Sequence, residues 1–502
     1  MIPFGKILQF RYYDPATLER MKNDLALAAP LSFWTYCKKY YVDCARRDPY
    51  VEELKLLDGL FLSLQSDPSL ITVHELYTND DAVAETYADM MQKHKELSEA
   101  TAPITLRSLL NLANAYLLRG GKKLPHTLPT VFTEENVAPS RLLMINPSPK
   151  KETDLFALLL PATDPSVPAP DWEGLLSDRA FTAQIKSLHA LSRTGILPAL
   201  LWESDAFRIN LDALCTAEKP SFAALLTQAL RELYLVRIPS EAMHTVLDTA
   251  NKHGFFVRII AQAGIGGDMT AIYQRTPLFT LNTAFLKTLY SIQQITAKLQ
   301  NEKDGELLSA ESASEACATP VLDDFCGNQI SISPKSAVFT NTFYASLLAV
   351  IRQCLCGSDY AEQRIRVEIS LPKKLDEKAS GAILSAVTAI YRLQAELGLL
   401  SESPRITVEK DLVLPSISVI ACGDGAPLPT TAQEPGNSLS LLTVGAAENG
   451  LPDFDALRAL LTTLKNLRRE GRLLSARAEL SKDTAAPISI FLESLAPTEV
   501  AY

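Results

Sequence analysis

Apolar positions recur along this chain in two rhythms, one helical and one alternating. Asp48 can cap a helix that opens at Pro49, with Glu52 and Glu53 near its positive end. Val51, Leu54, Phe61 and Leu64 then share one face. Thr105 to Leu118 repeats the pattern, and Gly120-Gly121 ends it. Further on, the pattern predicts a helix over Phe222–Glu232, a strand over Leu233–Ile238 and a helix over Ser240–Lys252. Strands follow at Phe255–Ala263 and Met269–Gln274. A similar order returns later: a helix over Tyr344–Cys356, then Arg364–Ser370 alternating with Ile365, Val367 and Ile369 on one face. A helix over Lys378–Leu397 comes next, then strands at Arg405–Glu409 and Leu414–Ala421. Asp453–Arg469 carries the clearest helical stripe, and Gly471 follows it.

Two stretches interrupt these patterns. Pro161–Pro170 is proline-rich and reads as an extended connector. Asn301–Thr319, rich in Glu, Ser and Ala, reads as a solvated linker. The element order predicts an α+β protein, with helices on one face of a mixed sheet in each of two lobes. The expected division is a helical N-terminal segment 1–135, a first lobe 136–300, a polar linker 301–335 and a second lobe 336–502.

With 502 residues, 47% of them hydrophobic and 21% charged, the chain has ordinary globular composition and length for several domains. A net charge of −10 without a basic block argues against nucleic-acid binding through phosphate neutralisation. No stretch approaches the roughly 18 apolar residues of a membrane span, so a cytoplasmic location is expected. The eight cysteines are scattered, and the close pair Cys354 and Cys356 sits in an apolar run, as buried free thiols do.

Candidate chemistry is sparse. Gly264, Gly266 and Gly267 are the best candidates for a phosphate-binding loop, but they join two predicted strands, so a hairpin turn is the simpler reading. Gly120-Gly121-Lys122-Lys123 lacks the spacing of a nucleotide loop and reads as a helix end with a basic tail. The six histidines (His74, His94, His126, His189, His244 and His253) include no pair three or four apart, and no metal site is expected. His94, between Lys93 and Lys95, reads as part of a solvated face.

Several segments, in collinear order, resemble formylglycinamidine ribonucleotide synthase in its long multi-domain form. In Tyr40–Asp58, Arg47, Asp48, Pro49, Glu53, Leu54, Leu57 and Asp58 match the family's linker stretch. Ile104–Lys123, Arg231–Leu286, Asp359–Ala421 and Gly436–Ala478 resemble successive later segments. The resemblance implies two lobes similar to aminoimidazole ribonucleotide synthetase-like domains. It also implies an ATP-dependent amidating ligase of purine biosynthesis that uses magnesium.

The departures fall at the functional motifs. Where the family carries Ser-Asp-His-Cys, this chain reads Gly59-Leu-Phe-Leu-Ser-Leu-Gln65. Where it carries Asn-Glu-Thr-His-Asn-His-Pro, the chain has Ile145–Asp154. The Gly-Gly-Lys-Asp-Ser-Met loop is replaced by Ser401–Arg405, and no counterpart of the glutaminase domain is expected. The expectation is a relative without catalytic residues, without ATP or magnesium as cofactor, acting as a binding, scaffold or regulatory protein. Its partner would be an unidentified protein, a catalytically active relative being one candidate, and the chain itself a monomer or homodimer. The rival expectation is an active ligase with a relocated site, which would need ATP and magnesium.

Overall fold

The computed structural model describes residues 9–65, 72–97, 104–122, 130–133, 142–145, 151–162, 168–191, 195–214, 222–228, 233–287, 294–298, 314–315, 319–322, 325–332, 337–372, 375–402, 404–409, 415–429, 436–447, 450–481 and 485–495, with isolated positions between. The chain forms two compact units, each assembled from separated stretches: Met1–Asp67 with Met144–Ile292, and Pro68–Leu143 with Gln293–Tyr502. The stretch 1–135, expected as one segment, is thus shared between both.

In the first unit a seven-stranded sheet is built from β1 (Leu155–Pro161), β2 (Ser187–Ala190), β3 (Phe207–Asn210), β4 (Tyr234–Ile238), β5 (Phe255–Ala263), β6 (Asp268–Tyr273) and β7 (Thr276–Asn282). Their spatial order is β7-β6-β3-β5-β1-β4-β2. Helices Pro15–Asp24 and Leu31–Tyr40, with α1 (Val51–Gln65), α2 (Ile196–Glu203) and α3 (Phe222–Thr227), share one apolar core with Phe156, Leu158, Phe207, Leu235 and Met269 of the sheet. A further helix, α4 (Met243–Lys252), carries the chain from β4 to β5 and packs on β5. Those strands are not neighbours: β1 lies between them, antiparallel to both.

The second unit holds a larger mixed sheet of β8 (Phe325–Ile332), β9 (Arg364–Pro372), β10 (Leu400–Ser401), β11 (Arg405–Glu409) and β12 (Ser416–Asp424), joined at β8 by the short strands Ser314–Glu315 and Thr319–Leu322. β8-β12-β9 run antiparallel in turn, while β10 and β11 pair parallel with β9. The inward residues Ile365, Val367 and Ile369 pack with α5 (Val338–Leu355) and α6 (Glu377–Leu397) in one core. The helix Asp81–Leu97 and strand Gln294–Lys298 also pack on α6. A separate three-stranded sheet, β13 (Ser438–Val444), β14 (Leu473–Leu480) and β15 (Ile488–Ser494), has β15 in the middle. The connecting helix α7 (Phe454–Arg469) opens at Asp453, whose carboxylate accepts from Asp455 and Ala456 N–H groups at 2.9 and 3.1 Å.

The α+β reading holds, with three differences. The repeated element order does not extend to pairing. β4–α4–β5 encloses β1 just as β13–α7–β14 encloses β15, whereas β9–α6–β11 joins adjacent strands. The matched pair of motifs is therefore not the pair that element order suggested. Secondly, residues 325–332 of the expected linker are a sheet strand, with Asn328 and Ile330 buried. Residues 301–313 lie outside the described residues. Thirdly, Asp48 does not cap α1: its carboxylate accepts from the Gln9 N–H at 3.0 Å. Glu53 reaches back to the Tyr50 N–H at 3.2 Å, one turn before itself, and supplies the helix start instead. Among the described residues, no helix is long and apolar enough to cross a membrane.

Candidate functional site

The densest polar constellation lies at one end of the first unit's sheet. Arg237 is the single charge in the otherwise apolar β4, and every residue of that strand is buried. A guanidinium there must be compensated, because an unpaired buried charge costs several kcal/mol. Asp154, just before β1 and fully buried, takes Arg237 Nε at 2.8 Å and the Lys186 ammonium at 2.8 and 3.0 Å. It also accepts the Lys151 N–H at 2.9 Å. Arg237 Nη1 donates to the Glu203 carbonyl at 2.7 Å and lies 3.7 Å from that residue's carboxylate. Glu203 Oε1 in turn meets His189 Nε2 at 2.6 Å. Ser187 stands on the same β2 face as His189, opposite Arg237 in register, with its buried hydroxyl lacking a hydrogen-bond partner.

In this cluster the carboxylates of Asp154 and Glu203 face a lysine, an arginine and an imidazole, so its charged groups close on one another. Lys186 and Arg237 are both occupied by Asp154 and present no open cationic pair to a phosphate. His189, the most exposed of the five, has its Nε2 held by Glu203. The sequence signal for the cluster was the lone arginine within an apolar strand. Its partners Asp154, Lys186 and Glu203 come from three other elements and carried no local mark.

The glycine loop is not a hairpin. Gly264–Asp268 connects β5 to β6, and β3 separates those two strands. Gly264 N–H donates to Ala206 O at 2.9 Å, and Gly267 O accepts from Thr283 N–H at 2.7 Å, so the loop is tied down at both ends. Gly264, Gly266 and Gly267 stay together there, and the loop starts beside the ion cluster: Ala263, which precedes Gly264, donates its N–H to the Asp154 carbonyl at 2.8 Å. Gly121, with φ of 92°, follows a helix that ends at Arg119, and the neighbouring Lys122 ammonium donates to Ala361 O at 2.8 Å.

The family-matching positions serve packing contacts. Arg47 grips the fully buried Glu53 through two bonds of 2.6 and 2.8 Å, lies over the Tyr41 ring and donates to Thr280 O at 2.9 Å. Asp58 accepts the Ala28 and Ala29 N–H groups at 3.1 and 2.8 Å. Pro49 O accepts the Ile7 N–H at 2.9 Å.

The histidines disperse. His94 is buried rather than solvated, because the helix Asp81–Leu97 turns it inward, and burial pushes its imidazole below the usual value. His253 Nε2 lies 3.1 Å from Asp178, and His244 is exposed on α4. The side chain of His74 and all of His126 lie outside the described residues. Cys354 and Cys356 are buried free thiols. Burial pushes Cys354 up to about 12, leaving it protonated and a poor nucleophile or ligand. No group of three or more potential metal ligands gathers among the described residues.

No known protein family and no curated protein matches the chain by sequence. Among solved structures it is similar to Thermotoga maritima PurL complexed with ATP, at 12% identity over 70% of this chain and 69% of that one, with a TM-score of 0.43. It is similar to the same protein complexed with AMPPCP at 11% identity over 90% and 96%, with a TM-score of 0.45. Thiamine monophosphate kinase from Aquifex aeolicus matches 36% of this chain and 81% of its own at 8% identity, with a TM-score of 0.25. These are loose correspondences of the chain trace and assign no activity.

Proposed function

We propose that this chain is a non-catalytic relative of phosphoribosylformylglycinamidine synthase, retained as a binding, scaffold or regulatory protein. The observation that carries the reading is the stretch after Asp58. The resembled family carries a histidine motif there, whereas here Gly59, Leu60 and Phe61 continue α1, with Leu60 and Phe61 buried in the core. A β-carbon on Gly59 would lie 2.3 Å from Thr227 Oγ1 of α3, so this surface admits packing and no additional side chain. The closure of Lys186 and Arg237 on Asp154 supports the same reading, since ATP chemistry needs cations directed at phosphates.

Titration calorimetry with ATP and magnesium tests it, alongside an ammonia-dependent amidation assay on formylglycinamide ribonucleotide. No saturable heat and no product are expected. Saturable ATP binding together with product formation above background would establish the active-ligase alternative.

A further inference from the structure

We propose that β13 is a pairing edge for a second copy of this chain, joining two three-stranded sheets into one. Exposed strand edges present unpaired backbone groups, and proteins ordinarily blunt them with charge, proline, bulges or brevity. The other edges of the three larger sheets are blunted in these ways. β7 carries Pro277 and a register irregularity beside it. β2 has four residues, and Ser314–Glu315 and β10 have two each. Thr319–Leu322 contains Pro320, and β11 carries Arg405 and Glu409. β14 carries Arg477 and Glu479, and its Ala476 N–H is taken by Pro429 O at 3.0 Å.

Among the described edge strands of these sheets, β13 alone has none of these devices. Its sequence, Ser-Leu-Ser-Leu-Leu-Thr-Val, has no charge, proline or glycine, and its register with β15 is unbroken. Among the described residues no strand pairs with its other edge. Its outward face is apolar: Leu439 is 71% exposed and Leu441 59%. Phe491, directly opposite Leu441 on β15, is 47% exposed, and Leu495 just beyond that strand is 62% exposed. Leu439, Leu441 and Phe491 form an apolar patch of the order of a few hundred Å², bounded toward Leu495 by Glu493, whose buried carboxylate accepts from Asn437 and Ser475.

A second copy is the occupant that this strand suits. Antiparallel pairing about a twofold axis through Leu441 sets Leu441 against its own copy and Leu439 against Thr443. On the inner face it sets Ser440 against Leu442. Because the strand is uncharged, identical copies meet without repulsion. The apolar patches of both copies stay on one side of the joined sheet and become continuous. The patch and the strand's backbone fall short of the roughly 800 Å² per partner of a standard interface, so the dimer should be reversible on dilution.

Sedimentation velocity on the full chain tests this. A monomer–dimer equilibrium is expected, with dimer dominating by about 100 μM. Leu441→Lys and Leu441→Glu should each be monomeric while unfolding at the wild-type temperature, because the side chain is largely exposed. An equimolar mixture of the two should recover the dimer, since position 441 faces itself. A wild type that stays monomeric, a Leu441→Lys protein that still dimerises, or a mixture that fails to re-pair would each overturn the proposal.

Discussion

Arg47 and Glu53 show how a single residue pair sets a large piece of this fold. Glu53 is fully buried, and Arg47 links it to β7 through Thr280. Removing the cation leaves a buried carboxylate with a weakened partner set, whereas removing both charges does not. Arg47→Ala is therefore expected to lose about 2–3 kcal/mol, somewhat less than for a fully enclosed pair because Arg47 is partly open to water. The Arg47→Met/Glu53→Leu double variant should recover much of that loss in chemical denaturation, and a double variant as unstable as the single one would contradict the pairing. His94 gives a pH signature. Burial lowers its folded value below the usual one of about 6.5, so the unfolded chain binds the proton first. Stability is then full above about pH 6.5 and declines as pH falls toward the folded value. Thermal unfolding of His94→Leu between pH 8 and 5 should show a shallower decline than the wild type. The sequence could not reveal this burial, because Lys93 and Lys95 flank His94 and suggest a solvated face. Only the helical phase of Asp81–Leu97 turns the residue inward.

At the scale of elements, strong periodicity was legible and strand neighbourhood was not. α6 and α7 stand within a residue or so of their expected bounds because long amphipathic stripes and clear stops define them. Asp453→Ala should cost about 1 kcal/mol through the loss of two N–H contacts at the start of α7, measurable as a shift in denaturation midpoint. The Gly264–Asp268 loop shows where local reasoning fails. Two strands joined by a short glycine-rich loop suggest a hairpin, but β3 enters between them from about fifty residues upstream in the sequence. Gly266 holds φ of 95° with open space around its missing β-carbon. Gly266→Ala should thus cost about 1 kcal/mol through backbone strain alone, with no steric clash. If melting is unaffected, the left-handed conformation is not required. β14 carried little signal because its inward positions Ala476 and Ala478 are small, whereas β15 alternates, with Ile488, Ile490 and Leu492 buried.

The whole molecule is organised by contacts that no local pattern announces. Tyr391 on α6 donates to Asp89 at 2.8 Å across 302 residues of sequence, and Asn114 exchanges two hydrogen bonds with the backbone of Ser401. Both contacts belong to the second unit, which recruits 68–143 although the sequence places that stretch in an N-terminal segment. Composition marks 301–319 as a boundary, and a construction from sequence would cut there. The physical consequence is testable. A contiguous fragment 301–502 keeps α5, α6, α7 and their sheets. It loses the helix Asp81–Leu97, whose Val83 and Met90 lie in the same core as α6, and the strand Gln294–Lys298 that packs beside it. Leu106, Leu109 and Leu110, also part of that core, are lost with them. Stripping these groups opens a long apolar helix face to water, at about 1.5–3 kcal/mol for each large side chain no longer buried. A domain with net stability of about 5–15 kcal/mol does not withstand several such losses. The fragment 301–502 should bind a hydrophobic dye and unfold without a cooperative transition. Co-expressing 68–143 with 293–502 should restore a cooperative transition and suppress dye binding, because the two pieces together contain the complete core. A sharp transition for 301–502 alone, at the temperature of the full chain, would show that the distant stretch is an appendage rather than part of the unit's core.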